Sequence, residues 1–251
     1  MTMDVIVAAR RRTRRLVACV GVVLVGVAGV AVLGWLRSPP APDPAMLPDG
    51  AAGAIPSASP APDPATGAML PADVTWTRLA GVELPVSATT GPTQMTGDLA
   101  RGFAHSPAGA AVAALHLLVR TTAQVGPGVF EPTIDEQVTG EHATAMRYVV
   151  GDLYRRGAAQ AGLAYGQPLA ELPARLVGIR LDSYTDARAD LSVLTAAPDA
   201  SGVTYYAATP VAVVWADGDW RLLAPPGGRW DELVRIVDPA NTASYTQITA
   251  R

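Results

Sequence analysis

Three histidines, His105, His116 and His142, are the residues of this chain best suited to proton transfer or metal ligation. They are scattered, and no carboxylates stand beside them at ligand spacing, so they form no metal signature. His116 sits in a strongly apolar stretch, beside Val112 and Leu115 and four residues before Arg120. A base in a pocket is one reading of it; a half-buried histidine on a helix flank is the simpler one. His105 reads as a loop residue packing on Phe103, and His142 as a surface residue at a helix start. Ser106 has no nucleophile-elbow context. Asp217-Gly218-Asp219 lacks the remaining positions of a calcium loop and reads as a hairpin turn. No catalytic group, cofactor site or metal site is expected, and so no enzyme. The aromatic residues are a different case. Tyr205, Tyr206, Trp215, Trp220 and Trp230 crowd one short region of a chain that is only 6% aromatic. Trp215 is expected in the core, and Tyr206 and Trp230 are candidates for contact with a protein partner.

Which compartment these residues occupy is set by Arg10–Arg37, "RRRTRRLVACVGVVLVGVAGVAVLGWLR". Leu16–Leu36 carries no charge, and as a helix at ~1.5 Å per residue it spans ~31 Å, the thickness of a bilayer's hydrocarbon core. Five arginines precede it and Arg37 follows, which places the N-terminus in the cytoplasm and the C-terminal bulk outside. A cleaved leader has a shorter apolar core of ~7–15 residues. The best small-x-small site here, Gly29-Val30-Ala31, still lies within the run. "LVAC" opens the apolar run instead of closing it, so it is not read as a lipobox; Cys19, the single cysteine, reads as a small lipid-facing residue.

The expected organisation is a cytoplasmic Arg-rich tail (1–15), a transmembrane helix (16–36), a disordered Pro/Ala-rich linker (37–73) and an extracytoplasmic α+β domain (74–251). The linker holds ten prolines between Ser38 and Ala72, and "APDPAMLP" at Ala41 recurs as "APDPATGAMLP" at Ala61. All 19 basic residues are arginine, and net charge is −3. Without the arginine cluster the C-terminal part is mildly acidic, which argues against nucleic acid as a partner. The lone cysteine forbids an internal disulfide there, so the domain must rest on a hydrophobic core.

Within that domain, Trp76, Leu79, Val82 and Leu84 form an apolar strip against the core. Ser106 and Pro107 open a helix as N-cap and first residue, with Ala108, Val112, Leu115 and Val119 on one face. Gly126-Pro127-Gly128 ends it, and a short helix around Pro132–Val138 follows. A third helix buries Met146, Val149, Val150 and Leu153, with Asp152 paired to Arg155 and Arg156. The period then changes from 3.6 to 2. Val177, Ile179 and Leu181 share one face of a strand, and Ala187, Ala189, Leu191 and Val193 alternate with polar residues in the next. A long third strand contains Pro210, which calls for an edge, a bulge or a bend. A fourth runs from Trp220 to Ala224, and "RWDELVRIV" reads as a short helix. Helices first, then a four-stranded antiparallel meander, makes an α+β fold.

That order resembles the cystatin-like, nuclear-transport-factor-like cone, in which N-terminal helices pack in the concave face of a curved four-stranded antiparallel sheet. "VAVVWADGDWRLLAPP" looks like the last hairpin of that fold. With tail, anchor and outer cone, the layout resembles the bitopic (VirB-type, TcpC-like) subunit of type IV secretion and conjugation machines. "GFAHSPAGAAVAALHLLVRTT" and "GDWRLLAPPGG" look like small anchored proteins of actinobacterial mobile elements. The resemblance implies a membrane-anchored scaffold with protein partners, sister copies included, and no catalytic residues. The alternatives are an extracytoplasmic small-ligand-binding or enzymatic cone, or an accessory of lipid or cell-wall transport.

Overall fold

The computed structural model describes residues 70–171, 173–199 and 201–248. The Arg-rich tail, the apolar run and nearly all of the linker lie outside the described residues. Among the described residues no helix is long and apolar enough to cross a membrane. Leu70 already packs against the core, and Asp73 accepts hydrogen bonds from Ser87 Oγ (2.8 Å) and Thr89 Oγ1 (3.0 Å). The domain therefore takes in residues that composition assigns to the linker.

The fold is α+β, but the helices do not come first. Two short hairpins precede them: β1 (Thr75–Leu79) with β2 (Val82–Val86), and β3 (Gln94–Thr96) with β4 (Leu99–Arg101). Ala80 and Gly81 both take positive φ (48° and 84°), as a two-residue turn between twisted strands requires. Val82 and Leu84 are buried, and Trp76 and Leu79 lean on the same core, so the expected apolar strip exists as a hairpin.

Helix α1 (Pro107–Arg120) starts as its sequence dictates. Ser106 Oγ accepts from Gly109 N at 3.1 Å, and Pro107 supplies the preset φ of the first helical residue. Every residue from Gly109 to Arg120 is buried, because α1 lies between the main sheet and a cover of β2, β4 and the helix that follows it. A 3₁₀ turn (Ala123–Val125) leads into α2 (Pro127–Gln137). Gly126-Pro127 thus opens α2 instead of merely closing α1, and Pro132 falls inside the helix, not at its start. After β5 (Val138–Thr139), α3 (Ala143–Ala161) buries Met146, Val150, Tyr154 and Ala158, one residue per turn, with Val149 and Leu153 half-buried. Its last carbonyls are capped by Gly162 in the left-handed region.

The main sheet has seven strands, not four. β6 (Arg175–Thr185), β7 (Arg188–Pro198), β8 (Thr204–Ala216) and β9 (Asp219–Leu223) form the expected antiparallel meander. β5 adds to β9 in parallel. β10 (Arg235–Val237) pairs with β8, and β11 (Thr246–Gln247) with β6. Residues 229–237 are therefore a turn and a strand, not a helix. Arg235-Ile236-Val237 find an open edge on β8, and β-branched side chains favour that use.

Pairing corrects the reading of Val177 and bears out the edge expected at Pro210. β6 carries a register shift between Leu176 and Gly178, so Val177 faces an outer cluster with Leu194, Tyr206 and Tyr245, away from Ile179 and Leu181. Pro210 sits in β8, where β10 covers Tyr206–Ala208 and β9 covers Val213–Ala216. Its missing N–H thus meets a stretch of edge that neither neighbour pairs with.

Candidate functional site

The residues with the most obvious chemistry are largely occupied with structure. His116 is fully buried, and its Nε2 lies 2.8 Å from Pro85 O. Burial, opposed by that bond and reinforced by the nearby Arg120 charge, lowers its pKa to about 4, so the ring is neutral at ordinary pH. Among the described residues it bonds to neither an acid nor a tyrosine, and it lines neither of the two clefts described below. Arg120, one turn on, is also buried and donates from Nη1 to Asp98 O at 3.0 Å. Burial pulls its pKa down, with Asp98 acting the other way. The two make a polar stripe inside the core.

His105 stacks on Trp215, not on Phe103: ring centroids are 3.9 Å apart and nearly parallel. It also stands edge-on to Trp220, and its Nε2 lies 2.6 Å from Asp186 O. His142 stands at the start of α3 beside Glu141, 3.3 Å away. Trp215 is half-buried against the core; Trp220 is fully buried, with its indole N–H donating to Ala104 O at 2.9 Å. Asp217 and Gly218 form the two-residue hairpin turn, with positive φ at both. Asp219 then accepts from Gly102 N (2.8 Å), Phe103 N (3.1 Å) and Trp220 N (2.9 Å). This carboxylate clamps the loop between β4 and α1 to the sheet. Among the described residues no three His, Cys, Asp or Glu converge as metal ligands.

Two clefts among the described residues stand open to solvent. The larger, about 550 Å³, runs between α2 and α3. Phe130 and Tyr154 line its floor with ring centroids 5.7 Å apart, and Tyr165 stands edge-on to Tyr154. Arg147 reaches across from α3 to α2. Its Nη1 lies 3.1 Å from Glu131 Oε1, and its Nε donates to Asp135 Oδ1 at 3.1 Å. Burial pulls the guanidinium's pKa down, but those two carboxylates outweigh it and hold it above its ordinary value. Tyr165 donates its hydroxyl to Glu131 at 2.9 Å, a bond that raises the phenol's pKa. Glu131, Asp135 and Arg147 are spent on each other, whereas Tyr148 and Tyr165 remain 72% and 68% exposed. Sequence reasoning passes over this group. Its one signal is Tyr148, a large ring on α3 that falls off the Met146–Val150–Tyr154–Ala158 stripe.

The smaller cleft, about 450 Å³, is lined by residues of β7, β8 and the Ala224–Leu233 segment. Trp230, Leu233, Leu223 and Pro210 give it apolar walls, and Arg188 and Asp190 a charged margin. Arg188 grips Asp190 through Nε at 3.0 Å, which holds that carboxyl below the usual range. Gly228 seats the segment: a side chain there would come within 2.3 Å of Met146 N, so only glycine lets it dock on α3. Trp230 is half-buried at this cleft, as a contact residue would be. Tyr206 is half-buried too, but packs on Leu194, Ala208 and Tyr245 at a distinct part of the same sheet.

The molecule is an α+β domain with antiparallel-rich sheets and two clefts whose polar groups are mutually bonded. Residues 37–247 match the family described as a domain of unknown function, DUF8175, and the chain belongs to that family. No curated protein and no solved structure matches it.

Proposed function

We propose that the chain is a membrane-anchored extracytoplasmic scaffold or assembly subunit, of a conjugative transfer or secretion apparatus, whose outer domain is a cystatin-like cone. The Arg-flanked apolar run holds it in the membrane as a single-pass anchor, and the Pro/Ala linker gives it reach. Helix α1 laid against one face of an antiparallel-rich sheet is compatible with the cone. The observation that carries the reading is the state of the α2/α3 cleft. Its acids are paired to Arg147 and Tyr165 instead of standing free for proton transfer, and its tyrosines are exposed, as anchors of a protein interface are. The test is photo-crosslinking in cells from Trp230 and, separately, from Tyr148, with a topology reporter after Arg251. Adducts with sister copies or membrane-complex proteins and an extracytoplasmic reporter are expected. Recovery of monomer alone from both positions, or a cytosolic reporter, overturns the reading.

A second reading, a binder of a small ligand, draws on the cleft under Ala224–Leu233, whose volume of about 450 Å³ and apolar walls suit a molecule of modest size. Trp230 fluorescence that changes on addition of a small amphiphile, and does so in saturable fashion, would favour it.

A further inference from the structure

The α2/α3 groove is lined by aromatic rings of the kind that proline-rich segments pack on, and this protein's own sequence holds such segments. Tyr148 and Tyr165 stand exposed at 72% and 68%, above the Phe130 and Tyr154 rings. Exposed aromatic rings over a shallow trough are what a polyproline II segment packs on. The segment has its φ angles preset and no internal hydrogen bonds to lose, so it docks at low entropic cost. The six residues PAPDPA occur twice, at Pro40–Ala45 and again at Pro60–Ala65.

We propose that the α2/α3 groove binds Pro40–Ala45 of its own chain. Charge supports the match. Asp43 lies at the centre of the motif, and Arg155 lines the groove with its side chain 64% exposed, held only by a 3.7 Å contact to Asp152. Reach favours the first of the two copies. Residues 46–69 can extend to ~80 Å at ~3.3 Å per residue. A domain of this size is about 40 Å across, from a radius of gyration near ~16 Å. Pro40–Ala45 therefore reaches the groove wherever the path must run. Pro60–Ala65 is only four residues from Leu70, which is fixed on the core, so its reach is short.

Docking folds the linker back. Only Arg37, Ser38 and Pro39 then lie between Leu36 and the bound segment, so the domain is drawn toward the membrane instead of standing off it. That consequence, unlike the docking, rests on the anchor reading proposed above. A partner that takes the groove would release the linker and lengthen the tether.

The test uses the full chain, purified in detergent, with photoreactive benzoylphenylalanine in place of Tyr148. After illumination, peptide mapping of the monomer band is expected to find adducts within Ser38–Leu47. A triple variant, Pro40→Gly, Pro42→Gly and Pro44→Gly, should lower the adduct yield severalfold. It leaves the folded domain untouched, so a loss cannot come from misfolding. Adducts only between two chains, adducts to Pro60–Ala65, absence of linker adducts, or a yield indifferent to the prolines each overturn the proposal. Because the assay needs no cellular partner, its failure is separable from failure of the scaffold reading.

Discussion

Two sets of charged and aromatic side chains meet opposite fates here. On α1, His116 and Arg120 lie inside the core and answer to backbone carbonyls, Pro85 O and Asp98 O. Between α2 and α3, Glu131, Asp135, Arg147 and Tyr165 lie at the surface and answer to one another. The interior set is sealed from solvent. The surface set carries two carboxylates against one guanidinium, and it is flanked by exposed rings. A residue type that could do chemistry thus says little until its surroundings are known, since burial, with the Arg120 charge beside it, makes the His116 ring a much weaker base.

The comparison predicts that interior substitutions cost stability and groove substitutions cost binding. Trp220→Ala should be the most severe. It empties a fully buried site and frees Ala104 O, for a loss of about 3–5 kcal/mol in urea denaturation. A loss under ~1 kcal/mol would show that the interior tolerates truncation as a surface does.

Acid should come next. His116 in the fold titrates at about 4 against an ordinary value of 6.5, so below that ordinary value the unfolded chain takes up a proton that the folded chain refuses. Its contribution is complete above pH ~6.5 and is lost as pH falls toward ~4, a decline of about 3 kcal/mol at ~1.36 kcal/mol per pH unit. H116Q should flatten the pH dependence of the denaturation midpoint across that window. An unchanged slope would mean that the ring is not buried neutral.

Asp219→Ala should cost about 2 kcal/mol, because Gly102 N and Phe103 N lose their acceptor. Hydrogen exchange should quicken at those two amides before it does in α1. Smallest of all is R147A. Its pairs with Glu131 and Asp135 are partly solvated, so stability should change by less than ~1 kcal/mol. Crosslinking from Tyr148 should nonetheless weaken, since two carboxylates are then left unneutralised in the groove. Stability loss as large as that of Trp220→Ala would erase the distinction between the two regions.

Some of this was legible in the residues. Ser106-Pro107 announces α1 to the residue, Asp217-Gly218 announces the β8–β9 turn, and alternation announces β6 to β9. These signals are local: a cap, a preset φ or a pleat acts over about four residues and needs no distant partner. Val177 shows where locality ends. Its alternation with Ile179 and Leu181 points inward, but a register shift against β7 turns it outward. Residues 229–237 show the same limit: their composition suits a helix, and the bare edge of β8 recruits Arg235–Val237 as a strand.

The candidate site was less legible than the fold. Trp230 stood out by its type, and the structure sets it at a cleft. Tyr148, Tyr165 and Arg147 did not stand out, because each is an ordinary residue until α2 and α3 pack side by side. By itself the sequence determined where an arginine-flanked apolar run and a proline-rich stretch lie, which segments pair locally, and that the class is α+β. Tertiary structure alone decided that His116 is sealed, that Asp219 clamps a loop 117 residues away, and that two helices frame a tyrosine-lined groove. The physical reason is that burial, pKa and cleft shape are properties of neighbours in space, and those neighbours come from distant parts of the chain.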